Sequence, residues 1–115
     1  MMDGPEHIED GDEEWFAVRC VLRLDKPNTY EERITLWRTD TFEEAIALAE
    51  AEVENYASNV GDEYLGLAQA YRLAYQPGHG AEIFSLLRDS QLDPDTYIET
   101  FFSTGTERQG IVEDD

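Results

Sequence analysis

One cysteine, two histidines and only 8 basic residues against 27 acidic ones set the first limits on this sequence. A single Cys cannot build a disulfide framework. No apolar run approaches the roughly 18 residues of a membrane span. The opening residues are acidic where a secretory leader is basic and then apolar, so the expected location is cytoplasmic. A formal charge of −19 repels nucleic-acid phosphate and anionic lipid alike, which argues against direct nucleic-acid or membrane binding. The partners it favours are a basic protein or a second copy of the chain.

What is present points to a folded domain. The 115 residues match one domain in length, and 41% of them are hydrophobic, with two Trp, six Tyr and five Phe. The acidity is uneven: residues 1–14 hold seven acids and no Lys or Arg, and residues 109–115 hold three acids and no base. Such stretches bury too little apolar surface to offset the entropy of ordering. The expected organisation is an acidic disordered tail at 1–14, one α+β domain at 15–108 and a second acidic tail at 109–115. A solubilising role explains the tails, and docking of Glu9, Asp10, Asp12, Glu13 and Glu14 on a basic partner is the alternative.

Residues 15–24 alternate, with Phe16, Val18, Cys20, Leu22 and Leu24 on one face and Trp15, Ala17, Arg19, Val21 and Arg23 on the other, as in a strand with a dry side. Asp25-Lys26-Pro27-Asn28 is a cluster of turn formers. Period two resumes over 30–38, with Glu32, Ile34, Leu36 and Arg38 on one side and Glu31, Arg33, Thr35 and Trp37 on the other. Ile34 and Leu36 are expected in the core. Thr41-Phe42-Glu43-Glu44 has the form of a capping box, and Phe42, Ala45, Ile46, Ala49, Val53 and Tyr56 follow at helical spacing until Asn59 and Gly61. Residues 64–75 fit either period and are read as a strand, with Gly66, Ala68 and Ala70 small enough for a helix to lie close. After the turn 76–80, the apolar run 81–87 is expected to complete the sheet. Asp93, with Pro94 after it, caps a short helix striped by Tyr97, Ile98, Phe101 and Phe102.

The expected fold is therefore α+β: a small antiparallel four-stranded sheet, one long helix packed on one face and a short C-terminal helix, in the order β-β-α-β-β-α. Trp15-Phe16, the phrase Tyr30-Glu31-Glu32-Arg33-Ile34, Glu43-Glu44-Ala45 at the head of an alanine-rich acidic helix, and Tyr71-Arg72-Leu73 together carry a likeness. Over roughly residues 15–75 the chain resembles the bacterial Domain of Unknown Function 4288 family. That resemblance implies a small α+β protein and brings no activity, cofactor or substrate with it.

Catalytic chemistry finds little support. His7 sits in the acidic opening and His79 in a Gly-Pro turn, neither beside a nucleophile. Cys20 falls on the apolar side of its strand, where a thiol behaves as a small hydrophobe. Asp93, Asp95 and Glu99 echo a calcium loop, but Thr104 stands where a bidentate Glu is required. Zinc spacing, a P-loop and a dinucleotide glycine motif are absent, so no cofactor and no metal are expected. Glu31 and Glu32 point to opposite faces and cannot share a proton. Glu32 with Arg33 is the least implausible pair for an enzyme, which is not the favoured reading.

One cluster stands out. The wet face of the first hairpin is expected to gather Arg19, Arg23 and Arg33 with Trp15 and Trp37, a surface able to stack on and fork to carboxylate or phosphate. The favoured reading is a non-enzymatic protein-interaction module, homodimeric through this Trp and Arg face. The competing reading is an inhibitor or immunity-type protein that blocks a basic enzyme such as a nuclease, steered by Glu9, Asp10, Asp12, Glu43, Glu50 and Glu54.

Overall fold

A computed structural model describes residues 14–109, which fall into two compact units divided between Ser85 and Leu86. The first holds β1 (Glu14–Arg23), β2 (Tyr30–Thr39), α1 (Phe42–Val60) and β3 (Glu63–Arg72). The second holds the short helix α2 (Pro94–Tyr97), which runs on as a π-helical turn over Ile98–Phe102. Of the acidic ends, residues 1–13 and 110–115 lie outside the described residues. Glu14 is the first residue of β1, where its carboxylate accepts from Arg72 on β3 at 3.3 Å.

The sheet has three antiparallel strands in the order β2-β1-β3, which corrects the four-stranded expectation and the order β-β-α-β-β-α. Residues 81–87 form no strand. Their aromatic member instead turns onto the sheet: the Phe84 ring lies 5.9 Å from the Tyr71 ring, and the Arg19 guanidinium stands 5.2 Å from the Phe84 centroid. The Tyr71 hydroxyl donates to Glu82. A ring and a carboxylate that find partners over the sheet hold this segment without a backbone ladder.

The central strand explains the core. Phe16, Val18, Cys20 and Leu22 alternate along β1 and are buried, and above them α1 places Ala45, Ala49, Val53 and Ala57 at strict four-residue spacing. Three of those four are alanines, so the helix axis can approach the sheet closely. Each fully buried Val, Leu or Phe contributes about 1.5–3 kcal/mol relative to exposure. The helix starts at the expected box: the Thr41 hydroxyl accepts from the Glu44 amide at 3.1 Å. The Glu44 carboxylate reaches back one residue further than expected, to the Asp40 amide at 3.2 Å. The helix stops at Gly61, whose φ of 80° is left-handed, with its N–H donating to the Ala57 carbonyl.

The stretch readable as helix or strand is strand β3, and it is kinked. Between the pairs Leu22–Tyr64 and Cys20–Ala68, β1 has one intervening residue and β3 has three, Leu65, Gly66 and Leu67. Gly66 adopts φ +83°, which a side chain disfavours, and so absorbs the bulge. In the second unit, the Asp93 carboxylate accepts from the Thr96 amide at 2.9 Å, as expected of an N-cap. Arg88 lies over the Phe101 ring at 4.2 Å and donates to the Tyr97 hydroxyl at 2.8 Å.

Candidate functional site

The decisive geometry is the register between β1 and β2. Leu24 donates to the Thr29 carbonyl at 2.9 Å across the four-residue loop Asp25, Lys26, Pro27 and Asn28, in which Asn28 takes a φ of 57°. From that closing pair the partners run Leu22–Glu31, Cys20–Arg33, Val18–Thr35 and Phe16–Trp37. Cross-strand partners share a face. Glu31, Arg33, Thr35 and Trp37 therefore lie under α1 with the core, and Tyr30, Glu32, Ile34, Leu36 and Arg38 lie on the opposite, open face. This reverses the expected sidedness of the second strand, because register fixes the face of every residue at once.

The polar residues on the helix side are all satisfied there. The Arg33 guanidinium lies 3.8 Å from the Tyr56 ring centroid and donates through both terminal nitrogens to the Glu52 carboxylate, at 3.0 and 3.3 Å. Burial works against the charge of Arg33, and Glu52 more than restores it, so the guanidinium is held charged more firmly than usual. The Tyr56 hydroxyl donates to Glu31 at 2.9 Å, the Tyr64 hydroxyl donates to Glu50 at 2.7 Å, and the Trp37 indole donates to the Thr35 hydroxyl at 2.7 Å. Burial pushes the Cys20 thiol up and away from the nucleophilic thiolate.

The expected five-residue platform is thus divided by the sheet. Trp15, Arg19 and Arg23 are on the open face, while Arg33 and Trp37 are on the helix side. Arg38, not among the expected five, joins the open face with its guanidinium 5.6 Å from the Trp15 ring. Glu32 and Arg33 point to opposite faces of β2, and Glu32 stands 3.9 Å from Arg19. Of the acids expected to face a basic partner, Glu9, Asp10 and Asp12 lie outside the described residues. Glu50 is engaged by Tyr64, which leaves Glu43 and Glu54 exposed.

The open face is largely apolar. Tyr30, Ile34, Leu36, Leu65 and Leu67 are 58, 44, 38, 43 and 54% exposed, with Val21 between the two leucine-bearing edges. Arg19 and Arg23 stand between them on the central strand and Arg38 beyond Leu36 on β2, with Glu32 and Glu63 as the carboxylates. Arg19 donates to Gln69 at 3.1 Å, and Arg23 pairs with Glu63. Phe84 lies by Tyr71 and Arg19, and Ala17 on this face is fully buried. The sequence signal for Leu65 and Leu67 lay in the odd-numbered apolar residues of β3, and that for Ile34 and Leu36 in the length of the hairpin loop.

Two shallow hollows among the described residues adjoin the margins of this face. One of about 480 Å³ is lined by Arg38, Thr39, Asp40, Glu44, Ala47 and Leu48, and one of about 410 Å³ surrounds the hairpin loop from Arg23 to Tyr30. Neither is lined by Glu32 or Arg33. Among the described residues no group of three or more His, Cys, Asp and Glu is placed to hold a metal, and no helix is long and apolar enough to cross a membrane. No protein-family model, curated protein or solved structure matches the chain.

Proposed function

We propose that this chain is a non-enzymatic protein-interaction module whose docking surface is the open face of its sheet. The observation that carries the reading is the contrast between the two faces. One is sealed by α1, and the other leaves five large apolar side chains accessible, Tyr30, Ile34 and Leu36 on β2 and Leu65 and Leu67 on β3, the two strands that flank β1. Scattered exposed leucines are ordinary, whereas a contiguous apolar surface with a polar rim is the form of a recognition site. In a chain of net charge −19, this face holds three of the eight bases. The partner it suits is a protein surface that is apolar at its centre and bears carboxylates at its margin, where Arg can fork to them.

A photo-crosslinking residue at Leu67, introduced in the native host, tests the reading. The expected product is one defined adduct whose partner is identified, whose purified form rebinds, and whose binding is lost in Leu67→Glu. The same probe at Ala51, on the outer side of α1, should give no such adduct. Crosslinking at Ala51 alone, or an adduct partner that binds Leu67→Glu as tightly as the parent chain, overturns it.

A further inference from the structure

The two edges of the sheet are unlike. The outer edge of β3 is interrupted by the Gly66 bulge, a usual means of blocking edge-to-edge pairing. β2, the other edge, runs ten residues from Tyr30 to Thr39 with no proline, no lysine, no left-handed residue and no shift in its register with β1. Because Leu24 donates to Thr29, the odd-numbered residues of β2 turn their N–H and C=O groups toward β1. The even-numbered residues, Glu32, Ile34, Leu36 and Arg38, therefore turn theirs outward, along an edge that the three-stranded order leaves without a neighbouring strand among the described residues.

The side chains on that edge are self-complementary in one register. When a second β2 is laid antiparallel with Thr35 opposite Thr35, Ile34 faces Leu36, and Glu32 faces Arg38, each twice by symmetry. The neighbouring registers are poorer. Centring on Ile34 sets Glu32 against Leu36, centring on Leu36 sets Glu32 against Asp40, and centring on Arg33 sets two arginines face to face. Opposite charges and paired aliphatics on facing strands stabilise a sheet, whereas like charges oppose it.

We propose that two copies of this chain pair through β2, antiparallel about a two-fold axis at Thr35, into one six-stranded sheet. Both α1 helices then lie on one side, and the two open faces run together on the other. The contact uses the backbone edge and goes beyond the docking reading above, since Leu65 and Leu67 on β3 take no part in it.

Sedimentation of the full chain from about 1 µM to about 1 mM spans the range expected of a strand-edge contact of this size. The wild-type chain should pass from monomer to dimer with concentration. Glu32→Arg and Arg38→Glu should each weaken the dimer about ten-fold or more, because each turns two attractive pairs into repulsive ones. An equimolar mixture of the two variants, and the doubly exchanged chain, should recover it. In parallel, hydrogen exchange at the amides of Glu32, Ile34, Leu36 and Arg38 in the wild type should slow with concentration, a readout that needs no variant. A monomer throughout, with those amides unprotected, overturns the proposal. So does a dimer indifferent to the single exchanges or not recovered in the mixture.

Discussion

Arg33 lies over the Tyr56 ring, its guanidinium carbon 3.8 Å from the centroid, so an arginine from an edge strand is packed beneath the long helix. The second strand turns its aliphatic residues outward because its alternate residues have specific partners inward: Glu52 for Arg33, Tyr56 for Glu31 and Thr35 for Trp37.

That contact divides the arginines by role. Arg33→Ala removes the stack and leaves Glu52 half-buried without its partner, and should lower unfolding free energy by about 1–3 kcal/mol. Arg23 pairs with Glu63 in the open, and Arg23→Ala should change stability by about 0.5 kcal/mol or less. Urea titrations of the two variants check the difference, and equal effects would contradict the assigned faces.

The same logic separates the aliphatic residues. Leu22 is fully buried, and Leu22→Ala should cost about 2–5 kcal/mol, whereas Ile34→Ala, on the open face, should cost less than about 1 kcal/mol. Thermal or chemical unfolding reads both. An Ile34 variant as damaging as Leu22→Ala would restore the opposite sidedness of β2.

Gly66 provides a test of the bulge. A Cβ there meets nothing within 4 Å, so the cost of Gly66→Ala is backbone strain at φ +83°, about 1–2 kcal/mol. Gly66→Asn should cost less, since Asn tolerates the left-handed region better. If alanine and asparagine are both neutral in unfolding experiments, β3 does not hold this conformation.

Burial, reinforced by the hydrogen bond to Glu50, pushes the Tyr64 phenol above its ordinary value near 10, and burial with Glu31 raises Tyr56 in the same direction. A group whose folded pKa is raised contributes its full stability below the unfolded value and loses it as pH rises beyond. Urea midpoints should therefore hold steady up to about pH 10 and decline above it. The decline should be shallower in Tyr64→Phe and shallower still with Tyr56→Phe added. An unchanged slope in both variants would show that these phenols ionise as freely folded as unfolded.

Local chemistry was legible where one residue decides an outcome. The apolar alternation of β1, the Thr41 box, the glycine stop at Gly61 and the Asp93 cap each follow from a side chain acting on its own backbone. The sidedness of β2 was not legible from alternation, because Ile34 and Leu36 look like core residues until the loop closing at Leu24 and Thr29 pairs Cys20 with Arg33. Residues 81–87 carry the composition of a strand, and Phe84 and Glu82 find partners over the sheet instead of at its edge. The candidate surface was half visible: Trp15, Arg19 and Arg23 belong to it, while Arg33 and Trp37 are spent on the fold.

The most direct measurement of the central claim is a calorimetric titration of the crosslinked partner against three purified chains: the parent, Leu67→Glu on the open face and Ala51→Glu on the outer side of α1. The account predicts that Leu67→Glu loses about ten-fold or more in affinity, as expected when a charge enters an apolar contact, and that Ala51→Glu binds as the parent does. Undiminished binding by Leu67→Glu, with the loss falling on Ala51→Glu, would place the interaction on the helix and contradict it.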